Sequence, residues 1–273
     1  MNEFALLPVL IRCAIVALVG LVVGSFLTVV IHRLPVMLER AWADRQSEGT
    51  RSARYDLVAP RSACPHCGHQ LRAWENIPVF SYLILRARCS ACNAAIHWRY
   101  AVVELLSALL AVFVMLRFGV SAKAIVGYVL GASLLTLAFI DAETGLLPDA
   151  ITLPLIALGL AVNLAGIFVP LVSAAMGAVS AGAVLLFVRY VARAISGRDG
   201  LGLGDVKLFC ALGAWLGVAS FGQMFLVSFV VAAIHGVLQI ALGKASRSDT
   251  MPFGPFIVFG GMFTLFAGLQ FPL

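Results

Sequence analysis

From Ala150 to Val188 the chain carries no Asp, Glu, Lys or Arg. A bilayer-crossing helix needs about 20 predominantly apolar residues, so this run predicts two spans, with Pro170 as the break between them. The run 208–243 is equally free of those charges and divides most naturally near Phe221-Gly222-Gln223. Further spans are predicted near 8–31, 100–118, 122–140 and 253–272, giving about eight with 150–169, 171–189, 206–222 and 223–243. The composition agrees: 62% of residues are hydrophobic and 12% charged, where a soluble domain carries roughly a quarter charged residues. The fold class expected is an all-α polytopic membrane protein. MNEFALLPVL lacks a basic leading region and a small-residue cleavage site, so the first span reads as retained.

The net charge of +6 follows topology rather than a nucleic-acid surface, and no nucleic-acid partner is expected. With the N-terminus outside, the inside segments are 32–99, 141–149, 189–207 and 244–252. They hold ten Arg in the first, Arg189, Arg193, Arg198 and Lys207 in the third, and Lys244 and Arg247 in the last. Sixteen of the nineteen basic residues are then cytoplasmic, and only Arg12, Arg117 and Lys123 fall on or near the other side. Both termini are placed in the periplasm. The chain divides into a first span (1–31), a cytoplasmic insert (32–99) and a seven-span block (100–273). Within the insert, the polar stretch 43–56 is expected to be loosely ordered. Stretches such as GASLLTLA and SAAMGAVSAGA supply small residues that let helices approach closely in lipid.

Four of the six cysteines lie in the insert as Cys64-Pro65-His66-Cys67 and Cys89-Ser90-Ala91-Cys92. Two C-x-x-C knuckles at this separation suit a closed, structural Zn2+ site of four thiolates. The competing readings are disulfides, which a cytoplasmic compartment disfavours, and a redox C-x-x-C, for which nothing near the motif reads as a thioredoxin-like βαβ unit. Gly68 and Asn93 follow the knuckles and tolerate a tight backbone there. His66, His69 and His97 are read as bystanders, and Cys13 and Cys210 as buried small hydrophobes.

Carboxylates at membrane depth are functional candidates by default. They are Glu104 in the second span, Asp141 in FIDAETGLLPDAITLP, Asp149 in the same segment, and Asp205 in GLGLGDVKLF. Asp141 and Asp205 both fall at the cytoplasmic edge of the bilayer, where they can face a common pocket. Two carboxylates sharing a proton perform aspartyl protease chemistry, one as base on water and the other polarising the scissile carbonyl. Gly202 and Gly204 fit this by leaving room for a substrate backbone beside Asp205. The alternatives are plain: Asp149 after Pro148 reads as a first-turn acid of a helix, and capping is open to Asp205 as well. Lys207 and Glu143 read as interfacial, and GLGLGD as a phosphate loop is a weak match with no strand before it.

GSFLTVVIHRLP (24–35), the double C-x-x-C, ENIPVFSYL (75–83), the D-x6-P-D segment (141–149) and GxGD (202–205) occur in this order. Together they resemble the bacterial type IV prepilin peptidases, bifunctional leader peptidases and N-methyltransferases, over nearly the whole chain. The resemblance implies a catalytic pair Asp141 and Asp205, with Asp149 matching the motif in a supporting place. It implies prepilin or pseudopilin N-termini as substrates, cleaved on the cytoplasmic side behind a short basic leader ending in Gly. It also implies methylation of the new amine from S-adenosylmethionine, with the zinc-bearing insert associated with that step. The family often has Gly-Lys before the third cysteine, where this chain has Ala87-Arg88, and Asn where it has Thr28. Arg for Lys keeps charge but not geometry. Glu75, Arg88 and Glu104 are the residues assigned to methyl transfer. The competing classes are an ion-coupled transporter, which predicts broken helices at midplane depth, and a non-enzymatic, zinc-dependent assembly factor.

Overall fold

A computed structural model of the chain describes residues 2–46, 54–197, 201–244 and 251–268. Arg198, Arg247, part of the polar stretch 43–56 and the end of the expected last span lie outside the described residues. The described residues are helical apart from loops and two isolated β-bridges. They pack as two compact units, Met1–Thr136 and Leu137–Leu273.

The first unit contains α1 (Asn2–Leu6), α2 (Val9–Gln46), a 3-10 turn at Ala73–Asn76, α3 (Phe80–Ile84), α4 (Arg99–Phe118) and the larger part of α5 (Ala122–Thr144). At 38 residues, α2 is roughly 57 Å long, far more than the roughly 30 Å hydrocarbon core requires. The helix therefore continues past the expected span end at 31 and takes in 43–46 of the stretch expected to be loose. The far end of that stretch is also ordered. The Asp56 carboxylate accepts the Val58 and Ala59 N–H groups at 2.8 and 2.6 Å, and Arg33 donates to the Asp56 and Pro60 carbonyls at 2.9 and 2.7 Å.

Close approach of α2 and α4 depends on Gly20 and Gly24. A Cβ at Gly20 would lie 2.6 Å from the Ala108 Cα, and one at Gly24 would lie 2.7 Å from the Glu104 Cα. Lipid supplies no hydrophobic drive between helices, so contact at this range and hydrogen bonds carry the packing. Ser107 Oγ donates to the Gly20 carbonyl at 2.7 Å and lies 2.7 Å from the Tyr128 hydroxyl.

The second unit contains the end of α5, then α6 (Asp149–Leu164), α7 (Leu171–Ser196), α8 (Leu203–Leu216), a 3-10 turn at Val218–Ser220, α9 (Phe221–Ala241) and α10 (Gly254–Ala267). Helix α8 is central and packs against α6, α7 and α10. Leu208, Phe209, Ala211, Leu212, Ala214 and Trp215 are all fully buried, the pattern of a helix apolar all round. Gly177 and Gly213 make the α7–α8 crossing, each missing Cβ falling on the other's main chain at 2.3–2.5 Å.

Each expected span corresponds to a helix, but among the described residues five helices are long and apolar enough to cross a membrane: those within Val9–Arg45, Arg99–Phe118, Ala122–Thr144, Leu171–Ile195 and Val218–Ala241. Helices α6, α8 and α10 have 16, 14 and 14 residues, so α8 rises only about 21 Å. The run 208–243 breaks at Gly217, with φ 78°, a few residues ahead of the Phe221-Gly222-Gln223 expected. The sequence around Asn163 explains the early stop. Its amide donates to the Ala214 and Trp215 carbonyls at 2.8 and 3.1 Å, satisfying acceptors that the end of α8 leaves open. Its oxygen accepts the Phe168 and Val169 N–H groups, and Trp215 Nε1 donates to the Leu155 carbonyl at 2.8 Å. Pro170 caps α7, where the break was expected.

Gly213→Ala is expected to lower detergent-solubilised stability by about 1–3 kcal/mol, the cost of overpacking a filled site. Gly222→Ala, where nothing beyond the neighbouring backbone of its own helix lies within 4 Å of the added carbon, should leave it unchanged or slightly raised. Thermal unfolding of both variants checks the contrast.

Candidate active site and metal centre

Asp141 lies in the last turn of α5, whose end is closed by the Gly145 N–H on the Asp141 carbonyl at 2.8 Å. Its side chain is buried, 5% exposed. The Gly254 N–H at the start of α10 donates to Asp141 Oδ2 at 2.7 Å. Asp205 is the third residue of α8 and is 8% exposed. The Gly202 N–H donates to Asp205 Oδ2 at 2.9 Å, which closes the N-terminus of α8 on its own acid. Arg189 reaches from α7 to the Leu201 carbonyl and fastens the loop ahead of this turn. The two carboxylates lie within electrostatic reach of each other. Each has its second oxygen outside these main-chain bonds.

Asp149, in the first turn of α6, has a different environment. Its side chain is more than half exposed, and Lys207 Nζ grips both its oxygens at 2.6 and 2.7 Å. The first-turn reading of Asp149 holds, and Lys207 is half-buried in this ion pair. The glycines beside Asp205 do more than clear space. Gly202 supplies the N–H, and a Cβ on Gly204 would lie 2.8 Å from the Leu147 Cβ, so Leu147, not open space, occupies the position expected to admit a substrate backbone.

In the first unit the four cysteine sulfurs of Cys64, Cys67, Cys89 and Cys92 lie within 4.8 Å of one another. The two knuckles repeat one backbone pattern. The Gly68 N–H returns to the Cys64 carbonyl at 2.9 Å, and the Asn93 N–H to the Cys89 carbonyl at 3.0 Å. Gly68 and Asn93 take φ of 72° and 58°, as the tight turns require. Tetrahedral thiolates about 2.3 Å from zinc stand about 3.8 Å apart, and Cys64 and Cys92 Sγ are 3.8 Å apart. Main-chain N–H groups of Cys67 and His66 bring the Cys64 thiol down to about 7. The His69 N–H favours the Cys67 thiolate, but burial and the neighbouring sulfurs push that thiol up to about 12. Four sulfurs this close resist full ionisation without a cation among them, and the donor set fits zinc.

Glu75 is 6% exposed and ties the two knuckles together. It accepts the Arg72 N–H at 2.6 Å, contacts His69 Nε2 at 3.2 Å beside the first knuckle, and accepts the Ser90 hydroxyl within the second. The Arg72 N–H, the Ser90 hydroxyl and His69 hold its carboxyl at about 2, well below the usual range. His69 is thus not a ligand but an orienting partner, the kind of outer contact that fixes a metal site. His97 stacks on Trp98 and accepts the Arg99 N–H. Cys13 and Cys210 are half-buried, less enclosed than expected. Glu104, buried on α4, accepts the Val79 N–H at 2.7 Å. Val79 has φ 58° and ψ −42°, in a turn closed by the Phe80 N–H on the Pro78 carbonyl. A β-branched residue there is strained. Arg88 is exposed, and Ala87 before it sits at φ 58°, a conformation that favours glycine.

Residues 18–118 match the bacterial peptidase A24 N-terminal domain, and residues 128–237 match the type IV leader peptidase family. A prepilin leader peptidase/N-methyltransferase of Burkholderia pseudomallei is 45% identical over 278 residues, covering 99% of this chain and 90% of that protein. The chain belongs to the type IV leader peptidase family. Proteins of the same name from Pseudomonas putida and Aeromonas hydrophila are 45% and 44% identical, over 91% and 93% of this chain and 88% and 90% of their own lengths. No solved structure matches. The family's peptidase match encloses Asp141, Asp149 and Asp205, and the N-terminal match encloses the four cysteines, Glu75, Arg88 and Glu104. Gly254 lies beyond both matches. Sequence reasoning misses it because its role is played by a main-chain N–H. The one signal is the MPFGP segment, a glycine before proline at a helix start.

Two outcomes follow for the metal module. Glu75→Ala should weaken zinc retention about 10- to 100-fold, the range for lost outer-shell partners, read by competition with a chromogenic chelator. Ala87→Gly should stabilise the same module by about 1 kcal/mol, because glycine removes the left-handed penalty, read as slower zinc release on heating.

Proposed function

We propose that the Asp141–Asp205 pair hydrolyses the leader peptide of type IV prepilins and pseudopilins at the cytoplasmic face of a bacterial inner membrane. Peptidase and N-methyltransferase activity come with the family; the assignment of residues is the new reading. The observation carrying it is the shared arrangement of two buried carboxylates, each with one oxygen held by a main-chain N–H. One carboxylate takes a proton from water as the water oxygen attacks the scissile carbonyl. The other, protonated, gives its proton to the carbonyl oxygen. In the collapse of the resulting diol the first carboxyl, now protonated, gives its proton to the leaving nitrogen as the C–N bond breaks, and the second carboxylate takes a proton from a diol hydroxyl as the carbonyl re-forms, which returns both to their starting states.

Topology supports the location. With eight spans and both termini periplasmic, the end of α5 and the start of α8 lie on the cytoplasmic side, together with sixteen of the nineteen basic residues. Helices α8 and α10 are short and both begin at the dyad, which suits a site sunk below the membrane surface. S-adenosylmethionine would supply the methyl group that the liberated amine takes up. The 32–99 insert is assigned to this step, with Zn2+ held by Cys64, Cys67, Cys89 and Cys92 as a structural ion. Glu75 and Glu104 serve there by shaping the insert, through the zinc knuckles and the Val79 turn, and Arg88 is the exposed cation beside the third cysteine.

In reconstituted cleavage of a prepilin, Asp141→Asn and Asp205→Asn should each lose about 10²- to 10⁴-fold in rate, the worth of a general acid or base. Asp149→Asn, which breaks only the ion pair with Lys207, should stay within about tenfold of wild type. The wild-type product should gain one methyl group when S-adenosylmethionine is present, by mass spectrometry. Wild-type cleavage in both dyad variants would defeat the assignment.

A further inference from the structure

Gly254 stands outside every motif used so far, yet it touches one half of the dyad. It is buried, it opens α10, and its N–H donates to Asp141 Oδ2 at 2.7 Å. A Cβ built on Gly254 would lie 2.7 Å from Asp141 Oδ2, 2.9 Å from Cγ and 3.0 Å from Cβ, and these are its three nearest atoms. Gly254 is not among the glycines with positive φ. Its backbone therefore accepts alanine, and what excludes a side chain is the carboxylate. Gly202 repeats the arrangement on the other half: its N–H donates to Asp205 Oδ2, and its missing Cβ lies 3.1 Å from the same oxygen.

We propose that Gly254 is a positioning residue of the peptidase reaction, matched to Gly202, whose bare N–H fixes the Asp141 carboxylate so that its other oxygen serves water and substrate. The inference rests on the dyad reading. A carboxyl group rotates about its Cβ–Cγ bond unless one oxygen is held, and a main-chain N–H on a helix start holds it without a mobile side chain. Alanine at 254 keeps the N–H but forces the carboxylate away by some tenths of an ångström. A misplacement on the order of 1 Å costs about 10²-fold when the reacting geometry is tight. Pro255 follows directly; its fixed φ suits the first turn of α10 and steadies the preceding N–H.

The test compares Gly254→Ala with wild type in steady-state prepilin cleavage. The expected result is a kcat lowered about 10- to 100-fold with KM for the prepilin unchanged. Gly222→Ala in α9 should cleave like wild type. Stability separates positioning from folding: Gly254→Ala should lower the melting temperature of the otherwise wild-type protein, and by clearly less in an Asp141→Ala background, where Oδ2 and Cγ are gone. Wild-type kcat in Gly254→Ala, a change confined to KM, or equal destabilisation in both backgrounds would overturn the proposal. Asp141→Asn run in the same assay tells the two readings apart. If it is inactive while Gly254→Ala is normal, the dyad stands and the positioning role falls; if it cleaves like wild type, the dyad reading falls first.

Discussion

A carboxylate removed from water must find donors inside the protein, because a buried unpaired charge costs several kcal/mol. In the second unit those donors are main-chain N–H groups at helix starts, Gly202 ahead of α8 and Gly254 on α10. The first N–H groups of a helix lack intrahelical partners and carry its positive end. Placing an acid there satisfies both needs at once and ties the position of each carboxylate to the position of a whole helix. The register of α8 against α6 and α7 therefore decides where Asp205 stands, and the register of α10 decides where one oxygen of Asp141 points.

Those registers are set by absent side chains. Gly177 and Gly213 let α7 and α8 touch main chain to main chain, and Gly159 leaves space for the Trp215 ring. Trp215 and Asn163 then fasten the far end of α8 to α6 through hydrogen bonds to main-chain carbonyls. In lipid such bonds have no competition from bulk water. A short helix held at both ends is a rigid mount, the condition a two-carboxylate site needs. The four-cysteine module in the first unit solves a related problem differently. Among the described residues 54–98 few apolar side chains are buried, and the four sulfurs, with Glu75 bridging His69 and Ser90, hold the segment together.

Much of this architecture is legible in the amino-acid sequence. The cysteine pairs can be read because metal knuckles are local in sequence, and Asp141 and Asp205 stand out as candidates because acids are rare in apolar runs and both sit at the ends of such runs. The break at Pro170 is legible for the same reason proline usually is. What stays hidden depends on distant main chain. The stop of α8 at Leu216 depends on Asn163, and the role of Gly254 on an N–H 113 residues from its acceptor. Glu75 stands out as an acid of the insert, but its contacts draw on three separated residues that no local pattern brings together. Glu104 is expected to need a partner, and its partners include the N–H of a strained Val79 that no side-chain pattern announces.

The central claim is that Asp141 and Asp205 meet in one pocket, and cross-linking tests it without relying on activity. In Asp141→Cys/Asp205→Cys a short thiol-to-thiol reagent should join the two positions within one chain, identified by peptide mapping. Asp149→Cys/Lys207→Cys, replacing a pair in direct contact, should cross-link in the same experiment and prove the reagent's access. Efficient linkage at 149–207 with none at 141–205 would contradict the account and separate the two aspartates for good.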